Sequence, residues 1–423
     1  MTFPDGFIGS AMAVESFRDM KVLLHGPVGC RRDLAFISSI LCPKEPRAPP
    51  SAYRRAYYAN NHRVPCTEVD GEDYISGAIS RLDDALDVVV GTDDDLLAII
   101  NTPGVSLIGD NCEDLIIHKG LQDKVIALDA DYISIPVGEG YDRTLVKLMK
   151  WFSPVKKEAR KGTVNILGLS LFTRDWKAVL DDLSALLESL GLQILCAPGA
   201  YCSVEEFKDS VNAEFNVVVC SEYCKGLQAL YSEYGVESID LHEAPVGLDA
   251  IRRWVSSIAE RCGVDPSPAM GLIDDIEERA YSGLKSSRGS TSLKGRTLAI
   301  TGDSTIVYPF VKWTYEYLGL VPVSVTVCEG WDEVAMGNLK EFLERIGCSE
   351  ALDAEVPEGT YVVAGDGDTV VRMEIGKVCS VGLDIGYPSL YESNFVKKNV
   401  IGHNGILYIL ERIVNGRPMM IIG

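Results

Sequence analysis

Val22-Leu23-Leu24-His25-Gly26-Pro27-Val28-Gly29-Cys30 reads as a short buried strand that runs into a Gly/Pro turn and delivers one cysteine. Gly26 and Gly29 admit backbone angles closed to other residues, while Pro27 stiffens the turn and removes a donor. A cysteine held there can reach a metal or a ligand; the alternative is an ordinary strand-to-helix turn with an unreactive thiol. Arg31 and Arg32 follow. Positive charge at a helix start is mildly unfavourable, so the pair points to an anionic cofactor or substrate, against the alternative of solvated side chains. Cys66 follows Pro65 and ends a Pro-, Arg- and Tyr-rich stretch that begins after Cys42. That stretch reads as a long loop covering the turn, which would let Cys66 fold back onto Cys30. Cys112 stands just after Gly109-Asp110 at a predicted helix start, where a thiolate is favoured; otherwise it is a packed helix residue. Cys220 ends a predicted strand, the position beyond which open α/β sheets bind ligands, and Cys224 follows one helical turn later. Its alternative is a core cysteine. Thiolates of this kind suit iron clusters.

The elements that must position these residues alternate between strand and helix. Within the first segment, residues 1–155, the predicted strands are Val22–Leu24, Val88–Val90 and Val125–Leu128. The second segment, 156–292, opens at Val164-Asn165-Ile166-Leu167-Gly168, then carries a helix with apolar spacing (Trp176, Val179, Leu180, Leu183, Leu186, Leu187, Leu190) that stops at Gly191. Strands Gln193–Cys196 and Asn216–Cys220 follow, and the Ser/Gly-rich stretch near 286–292 is the connector. The third segment, 293–423, opens at Arg296–Asp303, continues with strands Val321–Val327 and Tyr361–Ala364, and closes on the helix Gly405–Val414. The fold class expected is α/β: three Rossmann-like domains, each a mostly parallel sheet flanked by helices, around a central cleft. Neither later opening carries Gly-x-Gly-x-x-Gly or a phosphate-loop pattern, so NAD and ATP are not expected as ligands of this chain.

Composition narrows the partners. The 423 residues carry a net charge of −21, which argues against nucleic acid and anionic membranes as partners. No apolar run approaches the roughly 20 residues that span a bilayer, and the N-terminus shows no secretory pattern; a cytoplasmic protein is expected. Twelve cysteines stand beside only five histidines. None of the cysteines forms a Cys-x-x-Cys pair, which sets aside zinc-ribbon and thioredoxin readings. Without secretion, disulfides are not expected.

His25-Gly26-Pro27-Val28-Gly29-Cys30 resembles the first-domain signature of the nitrogenase component 1 superfamily, and its alpha-type subunits more than its beta-type ones. Several further segments carry the likeness. Cys66–Ala78 is similar to the family's acidic turn, and Ser106-Leu107-Ile108-Gly109-Asp110-Asn111 to its Leu-Ile-Gly-Asp-Asp element. Asn216–Cys220 is similar to the second-domain strand whose last cysteine anchors the large iron–sulfur cofactor in alpha-type and scaffold subunits. Ile401-Gly402-His403-Asn404-Gly405 is similar to the element that starts the last helix. The likeness covers nearly the whole chain at low identity. Two departures stand out. Of three domain-one cysteines in cluster-binding relatives, only Cys30 is present: none lies near residues 2–5, and Thr102 and Pro103 stand near the third position. Ile401 also occupies the place of the histidine that binds the cofactor in catalytic nitrogenase subunits, with His403 two residues later as a substitute.

The resemblance implies an iron–sulfur cluster near a subunit interface. With the missing cysteines, a 4Fe–4S cluster is preferred over an eight-iron one, each of two chains giving about two ligands. Cys30, Cys66, Cys112, Cys220 and His403 are the candidate metal ligands, with Arg31 beside the cofactor; a larger iron–sulfur cofactor near Cys220 is a further expectation. The implied function is a component 1 subunit, paired with a copy of itself or a beta-like subunit. It would receive electrons from an ATP-dependent iron protein and reduce a bound substrate or cofactor. The missing ligands argue against dinitrogen as that substrate. The alternatives are a scaffold for assembly of a complex iron–sulfur cofactor, and a cluster-free α/β binding protein.

Overall fold

The computed structural model describes residues 4–41, 64–90, 96–128, 134–286, 293–389 and 395–416. Cys42, the Pro- and Arg-rich stretch after it and the Ser/Gly-rich connector lie outside these residues. The chain divides into two compact units: Met1–Lys156 with Ala197–Val211 and Lys225–Leu230, and Lys157–Cys196 with Asn212–Cys224 and Tyr231–Gly423. All three sheets are parallel, with orders β1-β2-β3, β5-β4-β6-β7 and β11-β10-β8-β9. Parallel pairing requires a crossover between strands, and helices fill these connections. Among the described residues no helix is long and apolar enough to cross a membrane.

In the first unit, strands β1 (Met20–His25), β2 (Leu96–Asn101) and β3 (Val125–Leu128) pair in register, with β2 in the middle. Leu23, Ile99 and Ala127 meet Leu82, Leu86, Cys112 and Ile116 in one apolar cluster. The strand predicted at Val88–Val90 is instead the end of the helix Ile79–Val89, and the strand follows at β2. Leu82 and Leu86 repeat every four residues and are buried, so the helical period outweighs the β-branched triplet at the end of the helix.

The second unit carries β4 (Arg160–Leu167), β5 (Gln193–Cys196), β6 (Ala213–Val218) and β7 (Ser238–Ile239) in one sheet. Strands β8 (Thr297–Gly302), β9 (Val321–Val327), β10 (Thr360–Asp366) and β11 (Cys379–Gly386) form the other. Polar bonds join elements of the two sheets. Arg174 Nε lies 3.1 Å from Asp384 Oδ2, both side chains almost fully buried. Asp182, on the helix Trp176–Ser189, accepts from Asn399 Nδ2 at 2.9 Å, from the Asn404 backbone N–H at 2.9 Å and from Asn404 Nδ2 at 2.8 Å. It thereby fixes the start of the final helix Gly405–Asn415. A buried carboxylate is tolerable only with such partners, and its removal strands the donors. Asp182→Ala is expected to lower stability by about 3 kcal/mol, with Asp182→Asn losing less; an unchanged urea midpoint in the alanine variant would contradict this account of the joint.

Candidate functional site

Strand β1 hands the chain to the helix Val28–Leu41 through Gly26-Pro27, and Cys30 is the third residue of that helix, half-buried. The turn is held by a second segment that returns from far along the chain. Leu24 N–H donates to the Pro65 carbonyl at 2.9 Å, Thr67 N–H to Leu24 at 3.1 Å and Val69 N–H to Gly26 at 3.0 Å. Residues 65–69 therefore run along the end of β1 like an added parallel strand, with Leu24 bridged to Cys66. Side chains complete the lock. The Gly26 N–H donates to Thr67 Oγ1 at 3.0 Å, and that hydroxyl meets His25 Nδ1 at 2.9 Å. His25 is fully buried, with Nε2 3.7 Å from Asp110 Oδ2; burial pushes its pKa down, and Asp110 opposes the shift. A Cβ at Gly26 would lie 2.2 Å from Thr102 Cγ2, so only glycine lets the turn close here.

This zipper places Cys66 at the turn that carries Cys30. Cys66 Sγ–H donates to the Gly26 carbonyl at 2.9 Å, and the Glu68 N–H donates to Cys66 Sγ at 3.4 Å. Burial pushes the Cys66 thiol up; Glu68 and Cys30 add to that, while the Glu68 N–H and the Arg31 charge oppose it. Cys30 is raised by burial and by Asp33. Arg31 Nη1 lies 3.3 Å from Glu68 Oε1, with the glutamate largely exposed, an ion pair of little worth on its own. The turn therefore groups two thiols, a guanidinium and a backbone N–H aimed at sulfur. That donor set suits a thiolate-bound anionic group, whose sulfurs accept N–H bonds and whose charge the arginine offsets.

The other candidates are placed elsewhere. Cys112 opens the helix Cys112–His118, but its side chain is buried in the apolar cluster behind the sheet, with Sγ 3.5 Å from Asn101 Oδ1. His403 is nearly buried beside Asp182, at 3.8 Å, and beside Asn404; burial lowers its pKa, with Asp182 opposing and Lys397 reinforcing the shift. Cys220 lies two residues past β6, 1% exposed. Burial drives its thiol far up, and Glu222, Asp303 and Asp240 add to the shift. Asp303 is itself raised well above the usual carboxylate range by burial and by Glu222. Among the described residues, no three His, Cys, Asp or Glu side chains converge as a metal set, and the eleven described cysteines are all free thiols. Sequence reading missed Thr67, which stands next to Cys66 but whose partners lie about forty residues away, and Glu222, whose partners lie more than eighty residues away.

Parallel α/β sheets with a cysteine at the first strand-to-helix turn define the class of protein. The family model for nitrogenase component 1 type oxidoreductases matches residues 6–417, and the chain belongs to that family. A light-independent protochlorophyllide reductase subunit from Chloroflexus aggregans is 24% identical over 322 residues, 74% of this chain and 56% of that protein. The corresponding subunit from Pelodictyon phaeoclathratiforme is 22% identical over 269 residues, 60% of this chain and 49% of that protein. The chain thus spans about half the length of these curated relatives. The solved structure of nitrogenase Cp1 at pH 6.5 superposes with a TM-score of 0.74 at 15% identity, covering 98% of this chain and 93% of that one, a likeness of fold.

Two outcomes follow from the zipper. Thr67→Val strands the Gly26 N–H and His25 Nδ1 and is expected to cost about 1–3 kcal/mol, with Thr67→Ser restoring most of it; chemical denaturation decides, and a valine variant as stable as the parent would contradict the lock. Both thiols have raised pKa values, so their thiolate fraction in metal-free protein is small at neutral pH and grows as pH rises. Iodoacetamide labelling of Cys30 and Cys66 is expected to accelerate about tenfold per pH unit and to be still climbing near pH 9; a plateau at neutral pH would contradict the environment described.

Proposed function

We propose that this chain is a component 1 subunit of a reductase, in which Cys30 and Cys66 hold part of a four-iron cluster shared with a second subunit. The observation that carries the reading is the return of residues 65–69 onto β1, which sets Cys66, Arg31 and the Glu68 N–H around the Cys30 turn. Two thiols per chain are half of a Cys₄ set. A second subunit, either another copy of this chain or a beta-like relative, would complete it. Val28, Phe36 and Ile40 stay exposed on the helix that carries Cys30. With Arg32 they lie at four-residue steps, a partly apolar stripe suited to a partner surface. The name of the curated relatives, a reductase subunit, supports the same class.

Such a cluster supplies one-electron transfer when bound. What this chain's residues do is narrower. The Thr67–His25 pair fixes the turn, Gly26 lets it close against Thr102, the Glu68 N–H stabilises the Cys66 sulfur, and Arg31 offsets negative charge. Binding requires both thiols to lose their protons, so assembly releases protons and is favoured as pH rises. Electrons would come from a separate ATP-dependent iron protein and pass to a bound substrate or cofactor. The reading keeps three domains, 1–155, 156–292 and 293–423, with one sheet in each, and a cytoplasmic setting. The scaffold alternative rests on a large cofactor at Cys220, and the groups around that thiol speak against it.

Iron and acid-labile sulfide, measured with electron paramagnetic resonance on anoxically purified protein, test the proposal. About two irons per chain are expected, one four-iron cluster for two chains, falling to background in Cys30→Ala and in Cys66→Ala with circular dichroism unchanged. Full retention of iron in both folded variants would overturn it.

A further inference from the structure

The surroundings of Cys220 disagree with the cofactor role that the likeness to alpha-type and scaffold subunits assigns to it. Its backbone is capped by Gly168, at φ +79°, where a Cβ would sit 2.1 Å from the Cys220 carbonyl oxygen. Cys224 Sγ–H donates to that same carbonyl at 3.4 Å. The side chain is 1% exposed, and its hydrogen-bond partner is the Thr305 hydroxyl. That hydroxyl has one proton, and it is spent on Glu222 Oε2 at 2.6 Å. Thr305 therefore has only lone pairs to offer Cys220, which suits an S–H donor and not a thiolate.

Glu222 supplies the second half of the argument. Its carboxylate accepts from Ser304 Oγ at 2.6 Å, from the Thr305 N–H at 2.9 Å and from the Thr305 hydroxyl. These donors form the N-terminus of the fifteen-residue helix Ser304–Leu318. A helix start beyond a strand end is where an α/β sheet receives an anion. Here the protein's own carboxylate fills that place. Asp303 and Asp240 add further negative charge toward Cys220, and no cation is among the charges acting on it. An iron–sulfur group with thiolate ligands is anionic in most of its states, and would have to displace Glu222 or be buried against it.

We infer that Cys220 is a packing thiol and that the strand-end position beside it holds no iron–sulfur cofactor, because Glu222 already serves as the anion at the Ser304 helix. This inference stands apart from the reading of Cys30 and Cys66. The test uses the full chain, purified without oxygen together with any subunit that accompanies it. Iron and sulfide per chain in Cys220→Ala and Cys220→Ser are expected to equal the parent value, with an unchanged paramagnetic signal. Loss of iron in both variants at an unchanged thermal midpoint would overturn the inference. Should both variants misfold, the parent protein answers through native iodoacetamide labelling before and after iron is stripped by a chelator. Cys220 is expected to remain unlabelled in both states; labelling only after stripping would overturn the inference. A parent protein without iron would bear it out while defeating the proposal for Cys30 and Cys66.

Discussion

The candidate site depends on one constraint: residues 65–69 must lie along the end of β1. Three backbone bonds and the Thr67 hydroxyl make that contact. Without it Cys66 has no fixed relation to the turn that carries Cys30, because forty residues separate Gly26 from Cys66 in the chain. Closing such a length costs chain entropy that a single thiol contact does not recover. The cost is met by pairing backbone groups that would otherwise be buried and unsatisfied. Burial of His25 belongs to the same logic. A neutral imidazole between Thr67 and Asp110 fills the space beneath the turn with a rigid polar body.

The two cysteines that end strands are set in opposite electrostatic surroundings. Cys66, brought beside Cys30, has an N–H directed at its sulfur and an arginine acting on it. Cys220 faces carboxylates and a hydroxyl whose proton is committed to one of them. Position at a strand end is thus not enough to make a ligand site. What decides is whether the groups beyond the strand offset negative charge or supply it. In a component 1 family member this contrast assigns the redox chemistry to the first sheet's turn and leaves the second unit's Cys220 to packing.

Much of this was legible in the sequence because local pattern carried it. The run Val22–Leu24 followed by Gly26-Pro27 gave the strand and its turn, and the apolar spacing from Trp176 to Leu187 gave the helix that bears Asp182. Resemblance, not periodicity, pointed to the family whose model matches residues 6–417. What was not legible is long-range. Val88–Val90 looks extended in isolation, yet Leu82 and Leu86 commit it to a helix through packing on β-strands that come later. Cys112 stands where a helix start favours a thiolate, but the side chain points into an apolar cluster. No local signal marks Glu222, because Ser304 and Thr305 are over eighty residues away.

The most direct test of the central claim is anomalous diffraction at the iron edge from crystals grown without oxygen. The account predicts an iron peak within bonding distance of both Cys30 Sγ and Cys66 Sγ, with its remaining ligands from a second subunit. An iron peak bonded to Cys220, or a fully formed turn in which Cys30 and Cys66 carry no iron, would contradict it.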